Sequence, residues 1–571
     1  MNVYNRDCCS HVSSKNQRNI CTLPIDVLGR IMTYLVLKEI THFDSSVIEI
    51  GYRVFFLDAI KRQRVYLGKV QFNFESTIGY ILRRGLFLLD LGNLRDPMYS
   101  SEEVQLTPLL WAIANISETV FNDDGNMKLL DMLTSGDQEN INIDSKNDKG
   151  RTPLMIASDK GYVDAMKLLI SKGSDVNLQT TGRWTALMYA SQKGHIDAMK
   201  LLISKGSEVN AKNKKGFTAL MIASVKGHVN AMQLLIAKGA EINVKDNIGL
   251  TPLMCASQND HIDAMELLIS KGSDMKIKDN DGWTALLCAS ENGHVNSMEL
   301  LISKGSDVNA KTNKGYTALM ISLENGYVNA MELLISKGAD VNVKDYDGHT
   351  ALMFATVKGH VDAIEFLISK GADVKAKSDN GYTSLIIASD KGHVNAIELL
   401  ISKGADIHVK TDHGYTALMC ASENGHVNAM KFLISKGADV NVRTNDSTAL
   451  MLASLEGHMN AMELLISKGS DVNVKDNNGA TALMCASENG HVNAMQLLIY
   501  QGSDVNVKNN YGHTALMIAS QNGHVNTMEL LISKGSDVNI KNNDGWTALM
   551  HASQNGHVNA MEFLISNGAN C

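Results

Sequence analysis

The stretch Asp279–Ala310 reads DNDGWTALLCASENGHVNSMELLISKGSDVNA. Thr284 stands immediately before an apolar run, where its hydroxyl can cap a helix start. The run Ala285–Glu291 predicts a short helix, and Gly293 supplies a left-handed stop. Val295, Met298, Leu301 and Ile302 then recur at helical spacing on one face of a second helix. Lys304 lies in its last turn, where positive charge suits the helix dipole, and Gly305 ends it. The polar, turn-rich segment from Ser306 to Gly315 reads as a β-hairpin loop. One such unit, a loop and two antiparallel helices, is too small to bury its own apolar face, so it must stack on copies of itself.

The copies are present. Thr-(Pro/Ala/Ser)-Leu begins at Thr152, Thr185, Thr218, Thr251, Thr284, Thr317, Thr350, Thr383, Thr416, Thr448, Thr481, Thr514 and Thr547. The step is 33 residues except between Thr416 and Thr448, where it is 32. In three copies the next residue is proline (Pro108, Pro153, Pro252), favoured at the first helical position. A fixed period in this range specifies a solenoid, whose near-identical units form a long surface rather than a pocket.

The unit resembles the ankyrin repeat family, whose pattern is G-x-T-P-L-H-x-A-A-x-x-G-H-x-x-x-x-x-L-L-x-x-G-A-D-V-N. Residues 348–380, GHTALMFATVKGHVDAIEFLISKGADVKAKSDN, are a close copy. The resemblance covers about residues 104–571, in about 14 repeats. It implies an all-α fold with short β-hairpin loops, an ankyrin solenoid behind a small helical N-terminal domain. Two departures carry expectations. Methionine (Met155, Met188, Met221) replaces the family's histidine, so its side-chain hydrogen bonding is expected to be lost to an apolar filler. The loop Asn445-Asp446-Ser447 lacks a residue and the usual glycine, which predicts a local irregularity without a broken stack. The first repeat, opening at Thr107-Pro108-Leu109-Leu110-Trp111-Ala112, carries extra polar residues over 115–125, as a divergent capping repeat would. The last repeat keeps the apolar pattern of internal copies (Val558, Met561, Phe563, Leu564, Ile565) with no polar cap, which predicts fraying or a contact there.

Residues 1–20 read as a disordered tail. From Leu23 the repeat is absent, and Leu23, Pro24, Ile25, Val27, Leu28, Ile31 and Leu35 form an amphipathic helical pattern entered through proline. Further helical runs are predicted at about 38–47 and 51–62, and one or two more over 66–103, bridging into the repeats. Segment 21–65 resembles an F-box, although Val36 stands where that family has proline and Tyr52 or Phe55 where it has tryptophan. That resemblance implies that Leu23, Pro24, Ile25, Val27, Leu28, Ile31 and Leu35 dock on a Skp-type adaptor of a cullin ubiquitin ligase. The alternative is a helical cap that covers the first repeat.

Net charge is −8, and Lys and Asp alternate in the loops, so no nucleic-acid tract is indicated. No apolar run reaches membrane-spanning length, and the polar start lacks a signal-peptide core. An intracellular protein, cytoplasmic or nuclear, is expected. The eight cysteines fit this: Cys255, Cys288, Cys420 and Cys485 occupy a slot filled elsewhere by Ile156, Ile222, Phe354, Leu452 or Ile518, as small buried hydrophobes. Cys8, Cys9 and Cys21 cluster without a second ligand pair, so no zinc site is assigned.

Histidine recurs at one slot (His195, His228, His261, His294, His360, His393, His426, His458, His491, His524, His557). The copies lie a repeat apart with no recurring carboxylate or thiol beside them, so they read as turn histidines bonding backbone between repeats rather than as metal ligands. Asp279-Asn280-Asp281-Gly282 lacks the ligand order of a calcium loop. No phosphate loop or catalytic set stands out, so no enzyme, cofactor or metal is expected. The family resemblance implies possible hydroxylation of loop asparagines in Leu-x5-Asp-Val-Asn contexts such as Leu334 to Asn342, and at Asn441, Asn473, Asn506 and Asn539. The alternative is that these asparagines satisfy loop backbone groups.

Recognition then falls to the variable, outward slots. The residue before each Thr is often aromatic: Trp184, Phe217, Trp283, Tyr316, Tyr382, Tyr415 and Trp546. The ankyrin resemblance places it on the concave side, where aromatic residues make good interface anchors. The pair before each Gly-His varies too, as in Gln192-Lys193 and Glu291-Asn292, and would line the same groove. The expected function is a non-catalytic scaffold holding a protein ligand on that face. Two alternatives stand beside it: a substrate receptor of a Skp-cullin-F-box ligase through residues 21–65, and a structural spacer with no dedicated partner.

Overall fold

The computed structural model describes residues 54–56, 65–67, 143–444 and 447–570. Residues 1–20, expected to form a tail, the F-box-like face from Leu23 to Leu35 and the repeat opening at Thr107 lie outside the described residues, as do Cys8, Cys9 and Cys21. The chain divides into two compact units, Met1–Asp274 and Met275–Cys571.

The third helical run expected over 51–62 is corrected. Val54–Phe56 is a strand, β1, paired antiparallel with β2, Val65–Leu67, with Phe55 opposite Tyr66. Both triplets are built from β-branched, aromatic and apolar residues, which favour a pleated strand over a helix.

From residue 153 on, the described residues hold 26 helices in pairs, four pairs in the first unit and nine in the second. The unit read from sequence is realised as Ala285–Glu291 followed by Val295–Ser303, with Gly293 at φ 67° and Gly305 at φ 95°. The threonine before each first helix is extended, and its hydroxyl accepts from the backbone N–H three residues on in every copy except those of Thr350 and Thr481. The loops are closed turns; the backbone pairs as isolated bridges only at Lys344–Thr350 and Arg443–Thr448 among the described residues.

The core follows from the asymmetry of the two helices. The first is sandwiched, so nearly its whole surface is apolar: Leu220, Met221, Ile222 and Ala223 are all buried. The second buries only a stripe, Ala231, Met232 and Leu235, and leaves its other face to water. Buried Ser224 is satisfied by donating to the Leu220 carbonyl at 2.8 Å.

The methionine at the third helical position is not only filler. In the two described copies that begin with proline, Met155 and Met254 sulfurs each accept the N–H of the capping threonine at 3.4 Å. The thioether is a weak acceptor, and in these two copies it closes a capping box, so side-chain hydrogen bonding at this position is not wholly lost.

Three polar ladders tie successive repeats within each unit. Imidazole Nε2 reaches back to a carbonyl of the preceding repeat, as in His195 to Asp159 (3.2 Å), His228 to Gln192 (3.1 Å), His393 to Val357 (3.1 Å) and His426 to Asp390 (3.0 Å). A carbonyl only accepts, so Nε2 carries the proton in these residues. The loop asparagine uses both ends of its carboxamide: Asn342 Nδ2 donates to Gly371 O at 2.9 Å, and its Oδ1 accepts from Asp373 N–H at 2.8 Å. A third ladder was not anticipated: Lys212, Lys311, Lys344 and Lys508 each donate to the loop carbonyl 33 residues on, at 2.6 to 2.9 Å.

At the short step, Ser447 N–H donates to Thr444 Oγ1 at 2.9 Å and Thr444 N–H to Ser447 O at 3.0 Å, closing a tighter turn. Helices Ala417–Glu423, Ala449–Leu455 and Ala482–Glu488 stack in order across it, so the missing residue costs loop length only.

Candidate functional site

The aromatic slot is held rigidly from beneath. A polar residue four positions earlier accepts the aromatic residue's N–H through its side chain: Thr180 for Trp184 (3.0 Å), Asn213 for Phe217 (3.0 Å), Asp279 for Trp283 (2.7 Å), Thr312 for Tyr316 (3.1 Å), Ser378 for Tyr382 (3.1 Å), Thr411 for Tyr415 (3.1 Å) and Asn542 for Trp546 (2.8 Å). The same residue's N–H donates back to the aromatic residue's carbonyl. These are side-chain-closed turns, the chemistry for which Asn, Asp, Ser and Thr are favoured. The signal was in the sequence, as a polar residue always four places before the ring.

All seven rings are half-buried. Three of them sit against an aromatic residue in a first-helix slot of their own or the next repeat. Trp184 lies 5.1 Å from Tyr189, Tyr316 meets Phe354 edge-on at 5.3 Å, and Trp546 lies 5.4 Å from His551. Contacts of this kind orient a ring without covering it. Trp184 and Phe217 belong to the first unit; Trp283, Tyr316, Tyr382, Tyr415 and Trp546 belong to the second.

The electrostatic setting differs between copies. Burial raises the Tyr316 hydroxyl above its ordinary value, and the Asp345 and Glu324 charges add to this. Tyr382 is raised by burial, with smaller contributions from Cys420, Asp390 and Glu423. Both phenols stay neutral and able to donate at neutral pH. At Tyr189, burial outweighs the opposing Arg151 guanidinium, which lies over the ring at 4.5 Å.

The cysteine slot is a core slot. Cys255, Cys288 and Cys420 are buried, and burial pushes the thiols of Cys255, Cys420 and Cys485 up to about 12. Such thiols are poor nucleophiles and poor metal ligands. Asp345, Asp347 and His349 bring three ligand-type atoms within 4.8 Å of one another. Asp345 Oδ1 accepts the N–H groups of Asp347 (3.0 Å) and His349 (2.7 Å), and its Oδ2 faces His349 Nδ1 at 3.2 Å. Those contacts close the loop turn. Asp279 does the same work for Asp281 and Trp283, in the loop that superficially resembles a calcium site.

The family profile described as "Ankyrin repeats (3 copies)" matches the chain in overlapping windows that run from 86–180 through 493–571. The chain belongs to the ankyrin repeat family. No curated protein matches it. Ankyrin repeats generally mediate protein–protein interaction. No helix among the described residues is long and apolar enough to cross a membrane.

Proposed function

We propose that this ankyrin protein is a non-catalytic scaffold that grips a protein ligand on the concave face of its repeats, through Trp184, Phe217, Trp283, Tyr316, Tyr382, Tyr415 and Trp546. The observation that carries the reading is that these rings are clipped at the backbone and yet half-exposed. An anchor already fixed in place loses little conformational entropy on binding, and aromatic anchors dominate interface energetics. The residues between them differ from repeat to repeat, which is where specificity would be written. The test is affinity capture by the intact chain and by a Trp283→Ala/Tyr316→Ala/Tyr382→Ala variant. Loss of the parent's associations supports the reading; full retention favours the structural spacer.

In the domain arrangement we propose, a tail (1–20), an F-box-like segment (21–65) and a helical linker (66–103) precede the repeats (104–571). The pattern Leu23-Pro24-Ile25, Val27, Leu28, Ile31 and Leu35 motivates a second reading, a substrate receptor that recruits a Skp-type adaptor while the repeats hold the target. A Leu28→Asp/Ile31→Asp variant that captures the adaptor as well as the parent does would exclude it.

A further inference from the structure

The slots beside the rings are not equivalent in charge. In the first unit, the pair before the second helix carries three lysines, Lys160, Lys193 and Lys226, against one carboxylate, Asp159. In the second unit the same pair carries six carboxylates, Glu291, Glu324, Asp390, Glu423, Glu456 and Glu488, against two lysines, Lys358 and Lys391. The contrast is sharpest beside Tyr382 and Tyr415, two half-exposed rings one repeat apart, flanked by carboxylates from three successive repeats: Asp390, Glu423 and Glu456. Asp390 is already engaged, by Lys391 at 3.0 Å and by Asn424 Nδ2 at 3.0 Å. The carboxylates of Glu423 and Glu456 make no hydrogen bond or ion pair among the described residues.

From this face, and resting on the scaffold reading above, we infer that the segment bounded by Tyr382, Tyr415, Glu423 and Glu456 docks an extended, arginine-bearing stretch of a protein partner. Guanidinium groups match both components. They stack on tyrosine faces and pair bidentately with carboxylates, neither of which a compact, strongly hydrated ammonium can do. The spacing selects the conformation. Neighbouring helix layers lie roughly 8–10 Å apart. A polyproline II segment advances about 9.3 Å per three-residue turn, so a cation at every third position meets one repeat after another. Glu423 is held above the usual carboxylate range by burial and then by the charges of Asp390 and Glu456, so an incoming cation relieves a repulsion that the free face must carry. A nucleic acid is repelled by the same charges.

The test uses the full chain and fluorescent twelve-residue peptides of repeated Arg-Pro-Pro, Lys-Pro-Pro or Glu-Pro-Pro triplets, followed by anisotropy at about 50 and about 300 mM salt. The arginine peptide is expected to bind best, more weakly at high salt, and the glutamate peptide not at all. Glu423→Gln/Glu456→Gln is expected to weaken arginine-peptide binding about tenfold, the scale of one lost charge-assisted bond. Glu291→Gln, several repeats away, leaves it unchanged. Equal binding of the arginine and glutamate peptides, no arginine-peptide binding, or parent-like affinity in Glu423→Gln/Glu456→Gln overturns the inference. The scaffold reading fails separately: it is lost if Trp283→Ala/Tyr316→Ala/Tyr382→Ala retains every association of the parent.

Discussion

Gly392 tests how the repeats are joined. Its φ is 71°, a left-handed conformation that costs an L-residue about 1–2 kcal/mol. A Cβ there would lie 2.6 Å from Nδ1 and 2.7 Å from Cγ of His426, in the next repeat. The imidazole must therefore move, and it gives up its 3.0 Å bond to the Asp390 carbonyl, worth about 0.5–1.5 kcal/mol. Gly392→Ala should thus destabilise this junction by about 2–3 kcal/mol. In a His426→Ala background only the backbone term remains, leaving a coupling of about 1 kcal/mol between the two sites. A long repeat array does not unfold in one step, so the suitable assay is native-state hydrogen exchange. Amides of helix Val394–Ser402 should exchange about 30- to 150-fold faster in Gly392→Ala, at about 1.4 kcal/mol per tenfold. Strictly additive effects of the two substitutions would refute the claim that the glycine exists to admit the histidine.

Other outcomes follow from the same geometry. His551 fills a core slot held elsewhere by Ile222 or Leu452; it is 7% exposed, and its buried Nε2 has no partner. Burial and then the neighbouring His513 lower its pKa, so the unfolded chain binds the proton first as pH falls, and stability is lost below the unfolded value of about 6.5. His551→Leu should raise the unfolding midpoint of the last repeat and flatten its dependence between about pH 7.5 and pH 5; an unchanged slope would contradict this. Asn342→Ala removes two inter-repeat bonds and should speed exchange at the Asp373 amide, at a cost of about 1 kcal/mol because both bonds are exposed; parent-like protection there would show that the asparagine ladder does not hold the loops. Cys255, Cys420 and Cys485 should stay unmodified by a thiol reagent at about pH 8 until the chain unfolds, and fast labelling of the folded protein would contradict their raised pKa values.

The repeat made the helices legible. Ala285–Glu291 and the glycine stops were read from capping and periodicity, and the histidine ladder's structural role from its even recurrence. What escaped the sequence depends on side-chain reach. Met155 and Met254 act as capping acceptors in the two described copies whose first helix opens on proline. The lysine ladder looks like ordinary loop charge until a neighbour's carbonyl lies within 3 Å. The strand at Val54–Phe56 falls where no repeat supplies a template, and a short apolar run alone does not separate helix from strand. The aromatic slots were legible as positions, and the polar residue four places earlier marks the turn that clips each; the residual exposure of each ring was not legible.

The most direct measurement of the central claim is a calorimetric titration. The protein captured by the intact chain would be purified and titrated into the parent and into Tyr316→Ala/Tyr382→Ala/Tyr415→Ala, with helicity checked in both. The half-exposed rings, acting as anchors, predict at least about a thirtyfold rise in Kd, corresponding to one interface hot spot of about 2 kcal/mol. An unchanged Kd in a variant of full helicity would mean that the rings serve only the neighbouring repeats, and that the partner is held elsewhere.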